Sequence, residues 1–230
     1  MRENLTELVF ILDRSGSMSG LESDTIGGFN SMLNKQRNEK GEALVSTVLF
    51  DDVCEVIHDR EDIKEVPKLT PEEYYVRGCT ALLDAVGGAI NHIGNVHKYA
   101  RKEDRPGKTL FIITTDGLEN ASREYTFDKV KKMIKRQKEK YNWEFLFLGA
   151  NIDAIEVAGH MGIARDRAAN YHCDSVGTAL NYAVLEKAVS HVRACKASEV
   201  DAVFAGGGWK ADIDRDFEDR SEKKTKRRAK

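Results

Sequence analysis

The sequence predicts an α/β fold, a Rossmann-like three-layer sandwich. Its mostly parallel central sheet carries one antiparallel edge strand, with helices on both faces. Three observations carry this. Short apolar runs alternate with longer stretches of helical period along the 230 residues. Most of those runs are nearly continuous in apolar character, as strands covered on both faces must be. One run follows its predecessor after a bare "FDD" turn, too short for a parallel crossover.

The strands read in order as "ELVFIL" (7–12), "ALVSTVLF" (43–50), "VCEVIH" (53–58), "KTLFIITT" (108–115), "EFLFLGA" (144–150) and "RAANYH" (167–172). The third is the antiparallel edge partner of the second. Between them, apolar stripes mark helices. Ile26, Phe29 and Leu33 define one, and Leu83, Val86, Ile90, Ile93 and Val96 a longer one. Phe127, Val130, Met133 and Ile134 define a third with a lysine-coated outer face. A short glycine-ended helix falls near 153–161, and a fifth near 177–193 carries Leu180, Val184, Leu185, Val189 and Val192. "TPEE" at 70–73 adds a capping box, with Thr70 as cap, Pro71 at the first helical position and Glu73 reaching back. No internal repeat is present. The folded domain is expected over 1–205. From Gly206 to Lys230 apolar periodicity is lost, and a charged, flexible tail is expected.

Composition is that of an ordinary globular protein: 41% hydrophobic, 32% charged, net charge −2. That balance gives no general attraction to nucleic acid or anionic membrane. No apolar run reaches membrane-spanning length. No secretion signal opens the sequence, and Cys54, Cys79, Cys173 and Cys195 form no CxxC pair. Free thiols in a cytoplasmic location are expected. The basic run at 223–230 could attract nucleic acid or an acidic protein surface; a solvated end is the plainer account.

The chemistry concentrates in "FILDRSGSMSG" (10–20). Asp13 ends the first strand, and Ser15 and Ser17 follow at alternate positions around Gly16. Ligands of open α/β sheets bind beyond the carboxyl ends of the strands, where strand order reverses. Two other loops qualify: "RGCTALLDA" (77–85) with Thr80, and "ITTDGLEN" (113–120) with Asp116. A strand order resembling 3-2-1-4 makes all three converge. Asp13, Ser15, Ser17, Thr80 and Asp116 are hard oxygen donors without sulfur or imidazole, a set suited to Mg²⁺ or Mn²⁺ rather than zinc. Two carboxylates at most neutralise a dication, so it stays electrophilic and can take a carboxylate from another molecule. Gly16, Met18, Gly117, Glu119 and Asn120 are candidate rim residues, with ordinary loop solvation an equal account of Glu119 and Asn120. The histidines lie at no metal-ligand spacing.

At these residues the chain resembles the von Willebrand factor type A (vWA) family. Its metal-ion-dependent adhesion site has the pattern Asp-x-Ser-x-Ser, then Thr, then Asp. Asp13, Ser15, Ser17, Thr80 and Asp116 match it in order, and the likeness spans roughly residues 5–195. The resemblance implies a non-enzymatic protein-interaction domain whose Mg²⁺ (or Mn²⁺) takes its last ligand from an Asp or Glu of a protein partner. It further implies direct ligation by the two serines, and by Thr80 in the ligand-competent state, with the aspartates often acting through water. The absent signal segment likens the chain to intracellular bacterial or phage members. A metal-assisted phosphohydrolase is the alternative, since a dication with an open position is a Lewis acid. The motif lacks a second Asp two residues after Asp13, and no His falls in the three loops.

Overall fold

The computed structural model describes residues 1–228. Six strands form one sheet: β1 (Arg2–Asp13), β2 (Glu42–Phe50), β3 (Cys54–Asp62), β4 (Pro106–Thr115), β5 (Glu144–Ala150) and β6 (Ala168–Tyr171). Their order is β3-β2-β1-β4-β5-β6. All pairs are parallel except β2–β3, the expected antiparallel edge.

β1 explains the layering. It is buried from Leu5 to Asp13, and its side chains alternate between two cores. Leu8, Phe10 and Leu12 face Phe29, Met32 and Leu33 of α1 (Glu22–Gln36) and Val184, Leu185 and Val189 of α5 (Ser175–Ala194). Val9 and Ile11 face the other way, toward Val86 and Ile90 of α2 (Leu82–Tyr99), Val130 and Ile134 of α3 (Phe127–Tyr141) and Val157 of α4 (Ala154–His160). A strand apolar on both faces needs helices on both faces, which is why the run reads as continuous.

Strand order reverses between β1's two neighbours, with β2 on one side and β4 on the other. Asp13 stands opposite Phe50, and Leu12 lies between Leu49 and Thr114, so the carboxyl ends of the three strands are level. The loops leaving β1 and β4 therefore open onto one crevice.

Two expectations are corrected. "TPEE" starts no helix. Glu73 does reach back, its Oε2 accepting from Thr70 N–H at 2.9 Å and from the Thr70 hydroxyl at 2.5 Å, but around a single turn in a loop. Tyr74 follows at once and is drawn into the core beneath the β1 loop, which ends the turn.

The stretch from Gly206 does not continue as a flexible tail through its described part. After α6 (Val200–Phe204), Gly206 and Gly207 turn the chain at φ +73° and +74°, and α7 (Ala211–Arg228) lies against β6 and α5. Ile213 is buried, and Phe217 stacks on His172 with ring centres 4.8 Å apart. Arg220 pairs with Asp174, the residue that caps α5, and with Asp216 at 3.0 Å. Two apolar side chains four apart are enough to dock a helix whose remaining charges are solvated or paired along its own face. Residues 229 and 230, and the side chains beyond Lys223, lie outside the described residues, and most of the basic run at 223–230 lies with them. No described helix is long and apolar enough to cross a membrane.

Candidate metal centre

Three loops build the site, and each is held by its own devices. The β1–α1 loop is fixed through Arg14, whose side chain is completely buried. Its Nε donates to Asp51 Oδ2 at 2.9 Å, one terminal nitrogen to the Glu73 carbonyl at 2.9 Å and the other to Glu55 at 2.8 Å. The Tyr74 hydroxyl donates to the Asp13 carbonyl at 2.5 Å. The loop then bends through a short 3₁₀ turn, Gly16–Met18, which turns the two serines inward and buries Met18.

The loop carrying Thr80 is tied to this one through the backbone. Arg77 N–H donates to the Arg14 carbonyl at 2.9 Å and Gly16 N–H to the Gly78 carbonyl at 3.2 Å. Gly78 adopts φ +66°, a conformation a side chain strains, and an added Cβ would also press on Asp52 Oδ1. The β4–α3 loop supplies the third side. Its Asn120 Oδ1 accepts from Thr80 N–H at 2.9 Å, and Glu119 Oε2 accepts from Leu83 N–H, at the start of α2, at 2.9 Å. Glu119 also binds the Ala121 and Ser122 amides of its own loop.

These ties bring the five predicted residues together. Ser15 Oγ and Ser17 Oγ are 3.2 Å apart, Thr80 Oγ1 is 3.1 Å from Ser15 Oγ, and Ser17 Oγ is 2.5 Å from Asp116 Oδ1. Asp13 lies behind them, with Oδ1 accepting from Ser15 N–H at 2.7 Å and Oδ2 from the Thr115 hydroxyl at 2.5 Å. Burial pushes the Asp13 carboxyl upward, against hydrogen bonds from Ser15 and Thr115 that favour its charged form.

Two features of this arrangement fit a small hard dication. In an octahedral shell with metal–oxygen distances of about 2.0–2.1 Å, neighbouring ligand oxygens lie about 2.9 Å apart. The separations among Ser15, Ser17, Thr80 and Asp116 bracket that value. The cluster is also kept open by a residue without a side chain: a Cβ on Gly117 would lie 3.0 Å from Thr80 Oγ1, 3.1 Å from Ser17 Oγ and 3.9 Å from Ser15 Oγ. Among the described residues no three His, Cys, Asp or Glu side chains are grouped to hold an ion, so the hydroxyls must complete any shell.

The candidate rim residues sort differently. Gly16 and Gly117 shape the crevice. Met18 is buried and forms no part of an exposed rim. Glu119 and Asn120 fix the Thr80 loop and the start of α2. Three residues went unread in the sequence. Thr115 orients Asp13. Arg14 is the unspecified position of the motif, and nothing local announces a buried arginine. Cys173, just past β6, donates to Asp116 Oδ2 at 3.2 Å, with its thiol pushed up to about 12 by burial and by Asp116. The basic network continues outward through Arg77, which reaches Asp51 at 2.7 Å and lies across the exposed Tyr75 ring.

No family model and no curated protein matches the sequence. Solved structures do match in fold. A von Willebrand factor type A protein from Catenulispora acidiphila aligns with a TM-score of 0.56 and 14% identity, over 80% of this chain and 42% of its own. Proximal thread matrix protein 1 of the mussel byssus, in a form with a zinc-occupied MIDAS motif, aligns at 0.57 and 13%, over 82% and 46%. Manganese-loaded TRAP protein of Plasmodium vivax aligns at 0.52 and 14%, over 77% and 73%. The chain thus spans less than half the length of the first two. At these identities the likeness is one of fold: a vWA-type α/β sandwich.

Proposed function

We propose that this chain is a divalent-cation-dependent protein-interaction domain. Asp13, Ser15, Ser17, Thr80 and Asp116 hold the ion, and an Asp or Glu of a partner completes its shell. The observation that carries this is the convergence of hydroxyls and carboxylate from three loops at octahedral spacing, around the space Gly117 leaves open. The fold's likeness to structures with zinc in a MIDAS motif and with bound manganese supports the same reading.

Each residue has a task. Ser15, Ser17 and Thr80 present neutral oxygens, and Asp116 brings one negative charge into the cluster. Asp13, with both oxygens engaged by Ser15 and Thr115, orients the serine loop and contributes charge from behind. A bound Mg²⁺ or Mn²⁺ supplies an electrophilic position that this donor set leaves under-neutralised. Leu118, exposed beside Gly117, gives a partner an apolar contact next to its acid. The four cysteines stand free among the described residues, which suits a reducing cytoplasm.

A metal-assisted phosphohydrolase has less support. The three loops carry no histidine, and Asp13 is not followed two residues later by a second Asp that could act as nucleophile or base. The test is affinity capture from native lysate with magnesium or with EDTA, using the native chain and Asp13→Ala. Partner retention should need both the metal and Asp13. Retention indifferent to both would refute the proposal, and Mg²⁺-dependent phosphatase turnover lost in Asp13→Asn would replace it with the enzyme.

A further inference from the structure

A second surface, along the seam between α2 and α3, has the chemistry of a ligand site. α3 carries seven cationic side chains, Lys129, Lys131, Lys132, Lys135, Arg136, Lys138 and Lys140, against Asp128 and Glu139 alone. Only Lys135 among them makes an ion pair within the described residues, to Glu139 at 3.7 Å. In a chain of net charge −2 this is a local concentration of unneutralised positive charge.

Between α3 and α2 lies a groove of about 470 Å³. Lys98 from α2 and Lys129 and Arg136 from α3 stand along it. Tyr125 and Tyr141 line it as well. Tyr125 is seated against Gly87, where any Cβ would come within 2.2 Å of the ring, and Lys129 Nζ stands 4.1 Å over that ring, whereas Tyr141 is 44% exposed. Beneath them Gly94 keeps the floor low, since a Cβ there would meet Gln137 Nε2 at 3.3 Å. Glycine inside a helix costs about 0.5–1 kcal/mol relative to alanine. Here it leaves room. The Gln137 Oε1 is buried and has no hydrogen-bond partner in the structure.

We infer that the α2–α3 groove binds single-stranded nucleic acid. Cations along a groove track a phosphate backbone, and the exposed ring of Tyr141 takes an unstacked base. The exposed amides of Asn91 and Asn95 can donate to and accept from base edges. An acidic peptide would use the cations but leave the Tyr141 ring and the amides idle. A duplex would present stacked bases that the ring cannot reach. This inference is independent of the metal centre and of the basic run at 223–230.

The test is fluorescence anisotropy of the full chain, in EDTA, with labelled oligouridine, oligothymidine, a duplex and a polyglutamate peptide. The single strands should bind more tightly than the duplex and the peptide. Three phosphate contacts predict a slope of log affinity against log salt of about −2. The double variant Lys129→Glu/Arg136→Glu should weaken binding by about tenfold or more, and Tyr141→Ala by about fivefold or more. All three positions are exposed, and unchanged melting and circular dichroism would confirm an intact fold. Changing Lys223, Lys224, Lys226, Arg227, Arg228 and Lys230 to Gln should leave affinity unchanged. Single-strand binding that survives the double variant or is lost only with the terminal changes overturns the inference. So does equal affinity for polyglutamate, or no binding at physiological salt. The oligouridine and oligothymidine arms separate RNA from DNA as the preferred strand.

Discussion

Thr80 Oγ1 lies 3.1 Å from Ser15 Oγ, although 65 positions separate the two residues in the chain. Neither oxygen gains much from the other in a metal-free protein. Their proximity follows from the backbone ties between the loops around Arg14 and Gly78 and from the Asn120 amide on Thr80. The geometry is thus set before any ion arrives, which lowers the cost of binding one.

Gly117→Ala should fill the space between the hydroxyls without straining the fold, because only the new methyl group crowds Thr80 and Ser17. Divalent-ion affinity, read by calorimetric titration, should fall by about tenfold or more, as for disturbed positioning of a metal's ligands. The melting temperature should move little.

Asn120→Ala removes the acceptor for Thr80 N–H. Loss of a positioning contact behind a ligand weakens metal affinity by about 10–100-fold. The cost to stability should be only about 1 kcal/mol. Chemical denaturation and metal titration of one preparation separate the two effects.

Asp51 has no exposed surface and is shared by Arg14 and Arg77. Burial works to raise its carboxyl, but hydrogen bonds from Arg77, Val53 N–H and Arg14 outweigh it and hold the group below its ordinary 3.8. A depressed acid stabilises the fold fully above its unfolded value and loses that contribution as pH falls through the folded one. Asp51→Asn should therefore cost about 1.5–3 kcal/mol at neutral pH, where Arg14 keeps only Glu55 and the Glu73 carbonyl as strong partners. The gap from the native chain should narrow below about pH 4, in denaturant titrations across pH.

Ile213→Ala should destabilise the chain by about 2–5 kcal/mol if α7 is docked as part of the fold. A freely mobile extension would show no change in the same thermal melt.

Much of the fold was legible because its strands are buried on both faces. β5 runs over the residues that its apolar character marks out, Glu144–Ala150, and the "FDD" turn identifies the antiparallel edge. The clustering of the five oxygen-bearing side chains was legible because their loops leave the carboxyl-end face of the sheet, where local pattern and topology agree. What escaped depends on contacts distant in sequence. α7 hides its docking in Ile213 and Phe217, too few apolar positions to show a period. The turn at Thr70 has capping chemistry identical to that of a helix start, and only the burial of Tyr74 decides between them. Glu119 and Asn120 read as loop acids and amides until their hydrogen-bond partners across the crevice are known.

A crystal of the chain grown with Mn²⁺, with anomalous scattering recorded at the manganese edge, tests the central claim most directly. The account predicts one strong peak ligated by Ser15 and Ser17, within reach of Thr80 and Asp116, and its loss in Asp13→Ala. Manganese bound elsewhere, or no peak at this cluster under saturating metal, would contradict it.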